Sequence, residues 1–212
     1  MVSQNPAGTS SPKNWPQNIR YITAPVYQHT LTPEQLASVR TRKKETTNSI
    51  PASVSIGPCS IVKITPISDP SHPAAGQCGL FTASNLKPGT FILQYLGKIH
   101  ASPASPSLPN LTSHVDPHAG SDYDLSLDRD QGLGIDANEL GNEARFVNDY
   151  RGIAEKPNAE FRDVWDERRK EKGIGVFVLP EGKSGKGKGI KKGQEILVSY
   201  GRGFWGARKD PN

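Results

Sequence analysis

Apolar and polar residues alternate over short stretches of this chain and seldom keep a helical spacing for long. From residue 53 onward, the alternation predicts short strands that end at turns rich in Pro, Gly and Asp. The predicted strands are 54–56, 60–67, 79–83, 91–99, 122–127, 133–136, a hairpin of 161–165 with 174–179, and 196–200. We therefore expect a mainly β fold built from several small sheets, with few short helices.

One helix is predicted near residues 32–43. Thr32 is a suitable N-cap, Pro33 suits the first helical position, and Gln35 completes a capping box with Thr32. The apolar face is narrow, which predicts a position at the domain surface. That face consists of Leu36, Ala37 and Val39.

Composition narrows the classes of protein to which the chain can belong. Its 212 residues, with 21 Gly and 18 Pro, fit one loop-rich domain, alone or with an arm. No apolar run approaches the roughly 20 residues of a membrane span, and the N-terminus lacks the apolar core of a signal peptide. The two cysteines, Cys59 and Cys78, are too few for a disulfide framework or a four-cysteine zinc site. We therefore expect a protein of a reducing compartment that has no contact with a membrane.

Lys and Arg are concentrated at 40–44, 168–172 and 183–192, in a chain of net charge +5. Such clusters occur in proteins that bind nucleic acid or chromatin, and they are also typical of solvated turns. We favour solvated turns, because the third cluster has the Gly content of a flexible loop and aromatic residues for base stacking are not interleaved.

His114 and His118 have the spacing of one helical turn, with Asp116 between them. Pro117 and the Pro- and Ser-rich run before it predict a loop over 101–118 instead. We therefore expect no metal site there.

The segment 141–150, GNEARFVNDY, is too polar for a core strand and too short for a helix. Taken alone, it is best explained as a surface turn. The carboxamide of Asn148 nevertheless offers one acceptor and two donors on a rigid planar group, which suits a fixed polar ligand.

Four stretches, in order along the chain, resemble the SET domain of protein-lysine methyltransferases. They are 77–81 (QCGLF), 92–97 (ILQYLG), 145–149 (RFVND) with Pro157 and Asn158 after it, and 190–201 (IKKGQEILVSYG) followed by Phe204 and Trp205. The resemblance covers about residues 52–206, so we expect an N-terminal arm over 1–51 and a C-terminal tail over 207–212. It implies a SET fold with a threaded C-terminal segment, in which 141–150 and 196–201 cross closely.

The resemblance also implies a cofactor, S-adenosylmethionine, and a set of site residues. Tyr200 matches the catalytic tyrosine, and Tyr123 matches an aromatic position that lines the lysine channel. The implied cofactor-binding residues are Gln77, Cys78, Gly79, Arg145, Phe146, Asn148, Asp149, Tyr200 and Trp205. No metal is implied, because the cysteine-rich zinc segments that flank many histone-directed members are not expected here.

This sequence departs from the family pattern at several motif positions, and Val198 stands where many members carry Phe or Tyr. Gln77 replaces a glycine, Gln94 replaces a glutamate, and Asp149 replaces a histidine. The departures at Gln77 and Asp149 keep an alternative open, in which the chain is a catalytically silent SET module that binds a peptide or chromatin.

The function implied by the resemblance is methylation of a protein or peptide lysine, with a histone tail as the leading substrate. Nucleic acid would then be met only indirectly, through chromatin. The basic run at 40–44 is compatible with a nuclear signal, so we favour the nucleus over the cytoplasm.

Overall fold

The structure is a computed structural model that describes residues 10–102, 117–118, 120–182 and 188–201. Its strands are β1 (Arg20–Tyr21), β2 (Val26–Tyr27), β3 (Asn48–Ile50), β4 (Val62–Pro66), β5 (Cys78–Thr82), β6 (Phe91–Tyr95), β7 (Lys98–Ala101), β8 (Asp124–Asp128), β9 (Leu133–Asp136), β10 (Leu140–Gly141), β11 (Asn148–Asp149), β12 (Ala159–Asp166), β13 (Glu171–Val178) and β14 (Leu197–Val198). Within the described residues, the helices are α1 (Pro33–Val39) and a 3-10 helix over Glu143–Phe146. The predicted fold class, mainly β with several small sheets and few short helices, is confirmed.

The described strands form two four-stranded sheets and three two-stranded ones. The larger sheets have the orders β3-β12-β13-β6 and β2-β7-β9-β8, and the smaller ones are β1-β10, β4-β5 and β11-β14. Four of the pairings, β1 with β10, β2 with β7, β3 with β12 and β11 with β14, are parallel. Because parallel strands cannot be joined by a tight turn, these pairings bring together segments that are distant in sequence.

The chain divides into two compact units. The first takes its described residues from 1–59, 93–145 and 162–175, and the second from 60–92, 146–161 and 176–212. The first unit contains a buried cluster of Ile22, Leu96 and Leu140, with Val26 packed against it. The residues of the second unit that are at most 1% exposed include Leu80, Ile190, Ile196 and Val198.

Helix α1 begins as predicted. The Thr32 side chain accepts from the backbone N–H of Gln35, and the Gln35 side chain accepts from the backbone N–H of Thr32. The helix ends at Val39, earlier than predicted, and its buried face differs from the expected one because Ala37 is exposed and Gln35 is fully buried. Gln35 tolerates burial because its amide group also donates to a backbone carbonyl.

The prediction of a strand at 54–56 is wrong. Val54 and Ile56 lie outside the strands and are 37% and 58% exposed. The neighbouring β3 forms a strand instead, because it pairs in parallel with Val164–Asp166 of β12. Pro51, directly after β3, has no N–H with which to continue a ladder.

The strand predicted at 91–99 is two strands, β6 and β7. Between them lies Gly97, where an added Cβ atom would stand 2.4 Å from the carbonyl oxygen of Asp136. The backbones of these two segments therefore approach too closely for any other residue. The remaining predicted strands are present as β4, β5, β8, β9, the neighbouring strands β12 and β13, and β14, with somewhat different bounds.

In the described part of the chain, no helix is both long and apolar enough to cross a membrane.

Two of the basic clusters each supply a lysine that pairs with one buried carboxylate in the first unit, which the prediction of solvated turns did not include. Lys43, Lys172 and the hydroxyl of Ser38 all donate to the buried carboxylate of Asp128. Burial acts to raise the pKa of Asp128, but these hydrogen bonds and the charge of Lys172 outweigh it and lower that pKa to about 2. Lys43 also pairs with the exposed Asp130.

We expect Asp128→Asn to lower the free energy of unfolding by about 2 kcal/mol at pH 7, since the pKa of Asp128 is depressed in the folded state. A depressed pKa stabilises the fold above the unfolded pKa of about 4 and loses that effect as the pH falls toward 2. The difference between wild type and variant should therefore shrink over that range, as measured by urea unfolding at a series of pH values.

Asp130→Asn is the matched control, because the Asp130 side chain is 79% exposed and pairs with the same lysine. Its effect should stay below about 0.5 kcal/mol. Equal effects of the two substitutions, or a difference that does not change with pH, would contradict the assignment.

Candidate active site

Strands β11 and β14 form a parallel pair in the second unit. Asn148 is paired with Leu197, and Asp149 is paired with Val198. The predicted close approach of the two segments that contain these residues is confirmed.

Asn158 fixes the segment that leads into β14. Its side-chain amide donates to the carbonyl of Glu195 over 2.7 Å, and its side-chain oxygen accepts from the N–H of Leu197 over 2.8 Å. The backbone N–H of Asn158 donates to the carbonyl of Leu197 over 3.0 Å. Asn158 is not among the site residues predicted from the sequence, although the Pro157-Asn158 pair was the available signal.

Asp149 is buried, and its carboxylate accepts hydrogen bonds from two sides. One comes from the backbone N–H of Tyr200, over 2.7 Å. The others come from Arg151, whose backbone N–H and guanidinium both donate to the carboxylate over 2.9 to 3.2 Å. The aspartate that replaces the family's histidine therefore ties β11 to the chain beyond β14.

Tyr200 is held at both its backbone and its hydroxyl. The hydroxyl donates to the carbonyl of Val147 over 2.7 Å, and the backbone N–H donates to Asp149. A hydroxyl that donates its proton retains lone pairs that can accept from another donor. The phenol oxygen can therefore orient a donor such as an amine.

Glu195, which the sequence prediction missed, lies at the centre of the predicted cofactor residues of this unit. Its side chain is 8% exposed, and its carboxylate accepts from the side-chain amide of Asn148 over 2.8 Å. Its other oxygen is 3.0 Å from Nε2 of His72. An added Cβ atom on Gly79 would stand 2.4 Å from the carboxylate, so the glycine provides the space that the carboxylate occupies.

The turn that precedes Gly79 is joined by its backbone to the segment around β4. Gln77 is exposed, and its carbonyl accepts from the N–H of Ile67 over 2.8 Å. Cys78 begins β5 and pairs with Pro66 in β4.

Tyr123 and Arg145 lie together in the first unit. The guanidinium of Arg145 stands 4.2 Å from the centre of the Tyr123 ring, and its Nε donates to the carbonyl of Ala137 over 2.9 Å. The carbonyl of Tyr123 accepts from the hydroxyl of Tyr95 over 2.6 Å. This arrangement fixes both the backbone and the ring plane of Tyr123.

The family pattern also singled out Gln94, Phe146 and Trp205. Gln94, another departure from the family pattern, is buried in the first unit and accepts from the guanidinium of Arg169 over 2.7 Å. Phe146 is buried in the second unit. Trp205 lies outside the described residues.

His118 lies in the first unit, with Nδ1 2.6 Å from the carboxylate of Asp136. Its ring stacks on that of His100 with centroids 3.6 Å apart, and His100 in turn is 2.8 Å from the carboxylate of Asp124. Burial acts to raise the pKa of Asp136, but hydrogen bonds, the largest from His118, lower it overall. The described residues contain no group of three or more His, Cys, Asp or Glu placed to hold a metal ion, and His114 is not among them.

Comparison with solved structures finds several chains of polycomb repressive complex 2. One, in an autoinhibited conformation bound to S-adenosylmethionine, is 23% identical with a TM-score of 0.47, over 73% of this chain and 16% of that chain. A second, from Chaetomium thermophilum, is 22% identical with a TM-score of 0.46, over 71% of this chain and 16% of that chain. A third, an active complex in the stimulated state, is 24% identical with a TM-score of 0.42, over 59% of this chain and 14% of that chain. The present chain thus spans about one sixth of the length of these chains.

No curated protein sequence matches the chain. The family model of the SET domain matches residues 77–201, which is more than half of the chain and includes β5, β11 and β14. The chain therefore belongs to the SET-domain family, whose methyltransferases use S-adenosylmethionine as their cofactor.

Proposed function

We propose that this chain is a protein-lysine methyltransferase that uses S-adenosylmethionine, with a histone tail as the leading substrate. The observation that carries the proposal is a chain of direct contacts within the second unit. Gly79 lies against Glu195, and Glu195 binds the side chain of Asn148. The next residue, Asp149, binds the backbone of Tyr200.

The residues of this unit fit the cofactor chemically. S-adenosylmethionine carries a sulfonium and an α-ammonium group, so a buried carboxylate at Glu195 provides a favourable charge. Asn148 directs its amide N–H toward Glu195, which leaves its side-chain oxygen as an acceptor for an ammonium group. The absent side chain at Gly79 leaves the room that the Glu195 carboxylate needs in this position. When bound, the cofactor supplies an electrophilic methyl group.

Tyr200 is the residue that we propose orients the target amine. A lysine amine has a pKa near 10.4 in water, so its neutral form costs about 4 kcal/mol near pH 7.4. Exclusion of water lowers that cost, because burial disfavours the charged ammonium. With its proton donated to Val147, the phenol oxygen accepts from the amine N–H and holds the amine lone pair in one direction.

We propose Tyr123 for the lysine channel on the family pattern alone. The guanidinium of Arg145 over its ring, 4.2 Å from the centroid, supports this role because it keeps the ring in one orientation. Arg145 thereby restricts the orientation of the Tyr123 ring, in addition to the role near the cofactor that the family pattern implies.

A histone tail is the leading substrate because many members of the family modify histones, and a nuclear location follows from that substrate. The basic run at 40–44 gives this location limited support, since Arg42 and Lys43 are engaged by Glu167, Asp128 and Asp130.

We expect Tyr200→Phe to lower the rate of methyl transfer by about 100-fold, the usual effect of removing one positioned polar group from an active site. The protein is mixed with S-adenosylmethionine labelled in its methyl group and with core histones, and label in lysine is measured. Tyr150→Phe is the matched control, because it removes a hydroxyl that makes no hydrogen bond to the described residues of the same unit. It should keep the wild-type rate.

Binding of S-adenosylmethionine, measured by calorimetry, separates the alternatives. No heat of binding to the wild type would refute the proposed function. Binding of the cofactor and of a histone peptide without any transfer of label would instead identify the silent module to which the departures at Gln77 and Asp149 point.

We expect Asp149→His, the change toward the family pattern, to lower the free energy of unfolding by about 3 kcal/mol. The carboxylate accepts from Tyr200 and twice from Arg151, whereas a neutral imidazole has one acceptor nitrogen. Chemical unfolding measures the change, with Glu155→His at an exposed position of the same unit as the control. An equally stable and more active Asp149→His protein would show that the aspartate is a loss of function.

A further inference from the structure

His72 is a loop residue to which the sequence pattern assigned no role, yet both of its ring nitrogens are engaged. Nε2 is 3.0 Å from a carboxylate oxygen of Glu195, and Nδ1 accepts from the backbone N–H of Ala74 over 3.0 Å. The side chain is only 11% exposed. This loop therefore reaches the polar centre of the second unit through one side chain.

The two hydrogen bonds of His72 define its tautomer. An ionised carboxylate only accepts hydrogen bonds, so Nε2 must carry a proton to bind Glu195. Nδ1 accepts from Ala74, so it carries none. The neutral imidazole with its proton on Nε2 satisfies both contacts, and His72 is a fixed donor to Glu195.

Glu195 passes this constraint on to Asn148. One carboxylate oxygen is held by His72 and the other by the side-chain amide of Asn148, while Gly79 lies against the carboxylate. Without His72, one buried oxygen would lose its donor, and the carboxylate would be free to turn toward another one.

The orientation of Asn148 decides what its side chain can bind. Because the carboxylate only accepts, the NH₂ end of the amide faces Glu195, and the oxygen end is directed elsewhere. Among the described residues, no donor binds that oxygen. An ammonium group is the complementary ligand.

We infer that His72 is a positioning residue for the α-amino group of the cofactor, acting through Glu195 on Asn148. The inference rests on the proposed function, because it requires that Asn148 meet the amino-acid end of S-adenosylmethionine. It assigns to the loop around His72 a part in cofactor recognition.

Two ligands that differ only in the α-amino group test the inference by calorimetry. They are S-adenosylhomocysteine and its deaminated analogue. The wild type should prefer the amino form by about tenfold, the size of one hydrogen bond to a charged group. His72→Ala should lose most of this preference, and His72→Gln, which keeps an N–H donor, should retain most of it.

His29→Ala is the control, since His29 is an exposed histidine of the first unit. Thermal unfolding without ligand accompanies each variant. A general loss of structure would weaken the binding of both ligands alike and would leave the preference for the amino form unchanged. An unchanged preference in His72→Ala would overturn the inference while leaving the proposed function intact. Failure of the wild type to bind either ligand would refute the proposed function itself.

Discussion

Strands β11 and β14 contain only two residues each, so their own ladder is too short to hold β14 in place. Side chains of the second unit supply the additional hydrogen bonds that anchor β14. Asn158 binds the backbone at Glu195 and Leu197, and Asp149 binds the backbone of Tyr200. Each bond satisfies a backbone polar group in or beside β14. The positions of Glu195 and Tyr200 follow from these bonds, so the anchoring of β14 and the geometry of the proposed active site have the same physical cause.

Hydrogen bonds also hold the carboxylate of Glu195 in place. A buried carboxylate is costly unless hydrogen bonds satisfy it, and here His72 and Asn148 each donate to one oxygen. Gly79 contributes by having no side chain, since an added Cβ atom would occupy the position of that carboxylate. Gly79 in the turn is therefore required to make room for Glu195, a residue of the last motif.

Local rules and family motifs predicted much of the structure, and long-range contacts account for what they missed. The capping box at Thr32 and Gln35 involves residues three apart, and the sequence predicted it correctly. The contact between His72 and Glu195 joins residues 123 positions apart, and no periodicity or turn rule refers to it. The strand predicted at 54–56 failed for the same reason, since the partner that selects β3 instead lies in β12. The family pattern grouped Asn148 and Tyr200 in one predicted site and contained Glu195 in the stretch 190–201 without giving it a role, but it carried no information on His72.

Asp149 shows how a departure from a family motif is to be weighed. Viewed as the loss of a histidine, it points to a weakened site. Its carboxylate, however, accepts from three N–H groups, and two of these belong to Arg151, two residues further along the chain. An aspartate that binds the backbone N–H two positions ahead forms a common local turn. The same carboxylate also accepts from the Arg151 guanidinium and from Tyr200, which the single acceptor nitrogen of a neutral histidine could not do. Asp149 thus anchors the backbone of Tyr200 through its carboxylate. The loss of a motif residue is by itself no evidence that the site is inactive.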